Sequence, residues 1–253
     1  MKKIKLLDGN YIYVYNNGLY KKDCISRIII NSKDYFESKE LNFIKNNFYK
    51  DMKNIIDIGA NIGNHTLFFL NNFKDSIIYS FEPHPDNFKL LKQNTINYDR
   101  SKIYNLGISN KKSNLPMYTN SLGQSGSFSF YNYQNENVPK SNLTLNNINV
   151  DKLDNFNNLQ DITFMKIDVE NHEFEVLQGA FNIINKNKPI IWIENLSFSK
   201  GYDYLPDNIN TILNEYNYII LLKLNNINQI WIPKELEYKY ENMKNIQVCS
   251  SRR

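Results

Sequence analysis

Residues Asn54-Ile55-Ile56-Asp57-Ile58-Gly59 form a short apolar run closed by glycine. A run this apolar has no solvent face to offer, so it suits a parallel strand covered on both sides. The pattern then alternates. A helix is expected from about Asn64 to Asn71, a second strand over Ser76 to Glu82, and a helix over Asp86 to Ile96 with Asp86 as its cap. A third strand is expected over Lys102 to Leu106 and a fourth over Thr163 to Asp168. A helix then runs from about Phe174 to Ile184, and Pro189 to Glu194 makes a fifth strand. Strands alternating with helices predict an α/β fold with a doubly wound, mostly parallel sheet. The runs Tyr218 to Leu224 and Gln229 to Pro233 are joined by Asn225-Asn226-Ile227-Asn228 alone. That link is too short for a crossover helix, so this last pair is expected to be antiparallel.

Two segments stand apart. Residues 1–50 read as an N-terminal extension. In it Tyr11 to Tyr15 is a strand closed by the turn Asn16-Asn17-Gly18, and Ser38 to Phe48 is a helix capped by Ser38. Residues 51–253 then form the main domain. Ser113 to Asn149 reads as a long irregular loop carrying Gly123-Gln124-Ser125-Gly126-Ser127 and the aromatics Phe128, Phe130, Tyr131 and Tyr133. Long loops of this kind usually cover a ligand or lack order. The aromatics suit a flap that stacks on a sugar or a base.

Composition narrows the partners. The chain has 253 residues, is 42% hydrophobic and 22% charged, and carries a formal net charge of +4. That supports a real core. Its abundant Asn is interleaved with Ile, Leu and Tyr, which preserves the periodicity of a folded chain. Lysines are scattered, with short pairs such as Lys21-Lys22 and Lys111-Lys112 rather than a basic stripe. A nucleic-acid partner is therefore not expected, whereas an anionic small substrate is compatible. Cys24 and Cys249 give neither a disulfide framework nor metal-ligand spacing. Asp8, Gly9 and Asn10 interrupt any leader-like apolar stretch, and no run reaches the length of a membrane span. A cytoplasmic protein is the expectation.

The candidate cofactor site is Asp57, Gly59, Ala60, Asn61, Gly63 and Asn64, at a strand-turn-helix junction. Gly59 lets the chain turn, and Gly63 lets the helix begin close to a ligand. Dinucleotide sites usually place glycine at the middle position, where the pyrophosphate presses. Asn61 stands there instead, so the junction better suits a cofactor without phosphates. Asp57 can orient loop amides or receive an ammonium group. Glu82 ends the second strand, 23 residues beyond Gly59. In such folds this carboxylate meets ribose hydroxyls, and it disfavours a 2′-phosphate. Gly107 either lines the adenine pocket or makes a plain turn.

These segments resemble the FkbM family of methyltransferases. The resemblance rests on Asp57 to Asn64, on Phe81-Glu82-Pro83-His84-Pro85, on Phe164 to Ala180 and on Trp192-Ile193-Glu194. It covers roughly residues 50 to 200, and Lys166 to Ala180 is its most specific block. Asn171 departs from it, since the family usually has Gly there, although Asn also tolerates left-handed geometry. The resemblance implies a class I, Rossmann-like methyltransferase fold, which the terminal antiparallel hairpin also suits. It further implies S-adenosylmethionine as donor and O-methylation of sugars, polyketides and related products. A nucleotide-linked sugar or a surface polysaccharide precursor is the expected acceptor.

Ligands of open α/β sheets sit at the carboxyl ends of the strands. Asp168, Glu170 and His172 follow the fourth strand, and Glu194 and Asn195 end the fifth. A hydroxyl must lose its proton as it attacks a methyl group, and two routes are open. In one, His172 is the general base, oriented by Glu170. In the other, Asp168, Glu194 and Asn195 hold a divalent cation, with His172 joining the shell. The cation would be Mg, or Mn or Fe if the imidazole takes part. Lys166, on a central strand, is expected to pair with a carboxylate; a purely structural arrangement would pair it with Glu194 and leave His172 as a helix cap. Other readings are an N-methyltransferase, a natural-product O-methyltransferase, a nicotinamide oxidoreductase, and a non-catalytic cofactor- or RNA-binding module.

Overall fold

In the computed structural model the described residues are 1–16, 23–120, 128–129, 143–195, 208–244, 246 and 248. The N-terminal segment contains β1 (Lys2–Lys5), β2 (Tyr11–Val14), α1 (Cys24–Ser32) and α2 (Ser38–Phe48). The alternating unit follows as β3 (Asn54–Ile58), α3 (Asn64–Asn72), β4 (Ile78–Phe81), α4 (Pro85–Thr95) and β5 (Ser101–Tyr104). Next come β6 (Gly107–Ile108), β7 (Ser113–Asn120), β8 (Phe128–Ser129) and β9 (Leu143–Asp151). The chain then runs through β10 (Ile162–Ile167), α5 (Glu173–Gly179), α6 (Phe181–Asn187) and β11 (Ile190–Glu194). It closes with α7 (Asn208–Glu215), β12 (Tyr218–Lys223), β13 (Asn228–Pro233) and a 3-10 helix over Lys234–Met243.

The main sheet has seven strands in the order β12-β13-β11-β10-β3-β4-β5. The five from β11 to β5 pair in parallel, while β13 is antiparallel to both β11 and β12. The predicted α/β architecture and its terminal hairpin are therefore both present. From β3 the chain winds outward through β4 and β5, then returns to lay β10 and β11 on the other side. The boundary between β3 and β10 is thus the switch point, where such sheets hold their ligands.

Alternation along the strands divides the core into two layers. Ile55, Phe164 and Trp192 face α3, α4 and the N-terminal segment. Ile56, Met165 and Ile191 face α5, α6 and α7. Residues 1–50 share the first layer: Ile12, Ile29, Leu41, Ile44 and Phe48 are buried in it.

Several local expectations change. The N-terminal hairpin pairs β2 with β1 through the turn around Asp8 and Gly9. The Asn17-Gly18 part of the expected turn lies outside the described residues. Glu37, not Ser38, is the residue before α2, and it is left-handed at φ 57. His84 precedes α4, with Pro85 in its first turn in place of an Asp86 cap. The helix expected over Phe174 to Ile184 breaks at Ala180 into α5 and α6.

The largest correction concerns Ser113 to Asn149, which is not simply irregular. β7 pairs antiparallel with β9 along its whole length, in a second sheet ordered β6-β9-β7-β8. Leu115 and Met117 pack with Ile148 and Val150, an alternation diluted by Asn and by Pro116. The proline is tolerated because β8 pairs only with Tyr118 and Thr119, which leaves that part of β7 at an edge. Gly123 to Ser127, Phe130, Tyr131 and Tyr133 lie outside the described residues. Gly107 opens β6, so it is neither a plain turn nor free backbone.

Candidate active site

Two strand-to-helix turns meet at the switch point. In the first, Gly59 and Gly63 are left-handed at φ 81 and 87, and Asn61 at φ 51. Gly59 is demanded by contact as well as by conformation. A Cβ there would stand 1.8 Å from the Asp168 carbonyl oxygen. The amides of Gly59 and Ala60 both donate to the Phe81 carbonyl, and Asp168 N–H donates to the Ile58 carbonyl. The turn is thus closed by backbone bonds to both neighbouring strands.

Glu82 completes it. Its two oxygens accept from Asn61 N–H and His84 N–H, each at 2.8 Å. Burial pushes its pKa from 4.5 up to about 7, against the pull of those two amides. The Asn61 side chain folds back and accepts from Ile62 N–H at 2.7 Å. Asp57 is fully buried, and its Oδ2 accepts from Thr66 Oγ1 at 2.6 Å. That partner is a hydroxyl of α3 rather than the expected loop amides. Asp57 Oδ1 has no hydrogen-bond partner among the described residues, a buried acceptor suited to an ammonium group.

Asn64 departs from its expected role. Its Nδ2 donates to the Phe36 carbonyl and its Oδ1 accepts from Phe36 N–H, both at 3.0 Å. Its side chain clasps the N-terminal segment.

The second turn follows β10. Glu170 and Asn171 are both left-handed, at φ 55 and 75. Asn therefore serves where the resemblance has Gly. Glu173 supports the turn from α5, accepting from Val169 N–H and Asn171 N–H at 3.1 and 3.3 Å. Burial pushes Glu173 to about 7 as well. Lys166 is 1% exposed, and its ammonium donates to Asp168 Oδ2 at 2.9 Å. The lysine therefore pairs with Asp168 rather than with Glu194. Burial alone would lower its pKa, but Asp168, Asp57 and Glu37 together raise it above the usual lysine value. Burial likewise works against ionised Asp168, and Lys166 reverses that to hold it low.

Ligand oxygens of Asp168, Glu170 and Glu194 lie within 4.8 Å of one another. Such a trio of carboxylates suits a hard divalent cation. His172 stands outside this cluster. It precedes α5, with Nε2 2.9 Å from Ser109 Oγ and Nδ1 3.5 Å from Glu175 Oε2. Ser109 and Glu175 stand against the ring, and burial lowers its pKa. The imidazole argument for Mn or Fe thereby loses its ligand. Asn195 is fully buried beyond Glu194, and its N–H donates to the Ile227 carbonyl.

Sequence reasoning missed Ser109, Thr66, His65 and Glu37. A weak signal existed for two of them. His65 and Thr66 are polar residues in a helix otherwise buried through Leu67, Phe68, Phe69 and Leu70. Polar groups on a buried face need partners.

Comparison with known proteins identifies the family. A family model described as "Methyltransferase FkbM domain" matches residues 57–220. The hexuronic acid methyltransferase AglP of Haloferax volcanii is 24% identical over 160 residues, 63% of this chain and 60% of that protein. A methyltransferase FkbM from Methylobacillus flagellatus KT aligns at TM-score 0.49 and 19% identity, over 72% of this chain and 44% of that one. A methyltransferase from Geobacter sulfurreducens aligns at TM-score 0.45 and 12% identity, over 90% and 94%. The chain thus spans 60% of the curated relative's length.

Proposed function

Because the chain belongs to the FkbM methyltransferase family, we propose that it transfers a methyl group from S-adenosylmethionine to a hydroxyl of a sugar, on a nucleotide-linked sugar or a polysaccharide precursor. The observation that carries this reading is the seam between β3 and β10. There the turn suited to a phosphate-free cofactor touches the backbone of the carboxylate turn. The sugar is supported by the hexuronic acid methyltransferase relative.

Asp57, Gly59, Ala60, Asn61, Gly63 and Glu82 would hold the donor. Glu82 would accept from ribose hydroxyls and Asp57 Oδ1 would take the ammonium. When bound, S-adenosylmethionine supplies an electrophilic methyl group. The chain's task is then to orient the acceptor hydroxyl and take its proton. The carboxylates of Asp168, Glu170 and Glu194 suit that task better than His172, whose ring nitrogens face Ser109 and Glu175. Lys166 keeps Asp168 ionised.

A second reading is favoured by the spacing of the three carboxylates. Asp168, Glu170 and Glu194, with Asn195 beside them, would hold Mg or Mn, which would lower the pKa of the acceptor hydroxyl.

The test is release of S-adenosylhomocysteine over a panel of nucleotide sugars, hexuronic acids included, with chelator and with metal added back. Turnover that survives chelation supports the carboxylates alone. Turnover lost to chelator and restored by metal supports the second reading. No turnover on any sugar, by protein that still binds the cofactor, would sink the sugar assignment and turn the search to amines and polyketides.

A further inference from the structure

The first turn of α3 directs two polar side chains at the N-terminal segment. Asn64 clasps Phe36, and His65 Nε2 lies 3.1 Å from Glu37 Oε2. The other Glu37 oxygen accepts from Asn228 Nδ2 at 3.2 Å. Asn228 Oδ1 in turn accepts the Trp192 indole N–H at 2.8 Å. The Trp192 ring meets His65 edge-on at 5.3 Å between centroids, and Lys166 Nζ lies 5.7 Å from the Trp192 centroid. One half-buried carboxylate therefore joins three elements, α3, β11 and β13, beside the lysine that pairs with Asp168.

Glu37 does not have the character of an ordinary helix cap. It precedes α2 but makes no side-chain capping bond to that helix. Its backbone is left-handed at φ 57, which is uncommon for a residue with a Cβ. The carboxylate is directed at the reacting end, and its charge is among those acting on Lys166. It also lies outside the span matched by the family model, residues 57–220.

We infer that Glu37 is a positioning residue for methyl transfer: by fixing His65, Asn228 and Trp192 around Lys166, it keeps the ammonium on Asp168 and so presents that carboxylate to the acceptor. The inference rests on the role proposed above for Asp168. The N-terminal segment is then part of the reacting end as well as of the core.

The test uses the full chain with Glu37→Gln and Glu37→Asp, read in two ways. The first is the Lys166 side-chain ammonium resonance in 15N-lysine-labelled protein, which needs no acceptor. Glu37→Gln should shift it and speed its hydrogen exchange, and Glu37→Asp should restore it in part. The second is S-adenosylhomocysteine release on the best acceptor of the panel. In Glu37→Gln, kcat should fall about 10-fold, as expected for a displaced reacting group. S-adenosylhomocysteine affinity should stay near that of the wild type. An unchanged Lys166 resonance, or an unchanged kcat, would overturn the inference. A wild type that methylates no sugar would refute the substrate reading only, and the Lys166 resonance would then decide on Glu37. Should Glu37→Gln fail to fold, Asn228→Ala removes a Glu37 contact from the opposite side and is read in the same way.

Discussion

The turn after β3 and the turn after β10 lie side by side, and both bend through left-handed residues, yet they are held in different ways. The first is closed by its own strand neighbours. Phe81 receives two of its amides, and Glu82, the next residue on that strand, receives a third. The second combines near neighbours in sequence, Lys166, Glu173 and Glu175, with groups from remote parts of the chain such as Ser109. Glu173 props it from α5, while Ser109 and Glu175 hold the His172 ring. Asp168 is held by Lys166, whose ammonium lies 5.7 Å from the Trp192 centroid and is acted on by the Glu37 charge. A motif closed by neighbours tolerates little change in its own residues. A motif held from a distance is vulnerable at the distant groups.

The sharpest way to break this contrast is at the point where the two turns touch. Gly59→Ala places a Cβ against the Asp168 carbonyl, on a backbone at φ 81. It should cost about 2–4 kcal/mol and abolish cofactor binding, as read by urea unfolding and calorimetric titration with S-adenosylhomocysteine. Gly63→Ala meets the flexible end of Leu91 at 2.8 Å and should cost less.

Next in size is Lys166→Met, which leaves Asp168 without its cation. A stability loss of about 2–3 kcal/mol is expected at neutral pH. Asp168 has a folded pKa below its ordinary 3.8, so its contribution is present above that value and disappears as the pH falls through the lower one. The gap between variant and wild type in urea unfolding should therefore narrow in strong acid.

Glu82 behaves with the opposite sign. Its folded pKa, about 7, lies above 4.5, so its contribution is complete below 4.5 and is lost as pH rises through 7. Between pH 5 and 8 the wild type should lose about 2 kcal/mol more than Glu82→Gln. Wild-type affinity for S-adenosylhomocysteine should rise over the same interval, because the ionised carboxylate accepts hydrogen bonds more strongly. A flat affinity profile would separate Glu82 from the ribose.

The smallest effect is expected at Asn171. Asn171→Gly relieves a side chain at φ 75. Thermal unfolding should move stability by no more than about 1 kcal/mol. A large loss would mean that the side chain, and not its backbone freedom, holds the turn.

The same contrast governs what could be read from the sequence. Asp57 to Gly63 and Glu82 are legible because their residue types are set by the backbone and by the spacing of strand, turn and helix. The parallel strands are legible because they are apolar on both faces. Helix α1 was missed: the β-branched run Ile28-Ile29-Ile30 suits a strand, and it masked the helical spacing of Ile25, Ile28 and Ile29. The second sheet was missed because Asn and Pro116 dilute its alternation. Glu37 and Ser109 were invisible for a different reason. Each acts through a contact set by packing, as between Glu37 and Asn228, 191 residues apart. No local pattern encodes such a pairing. Asn64 was misread on the same ground, because its neighbours in sequence suggested a cofactor and its neighbour in space is Phe36.

The seam between β3 and β10 has a consequence for how such a protein can diversify. The two strands are adjacent in the sheet, yet the chain that joins them runs from Ile58 to Ile162 and contains the whole second sheet. To the seam, that entire excursion is one closed loop. The entropy of closing a loop grows only logarithmically with its length. Segments can therefore be added to or removed from the β7–β9 region at little thermodynamic penalty while Gly59 and Asp168 stay in register. Chains that differ greatly in the length of this excursion can therefore keep the same pair of turns in contact.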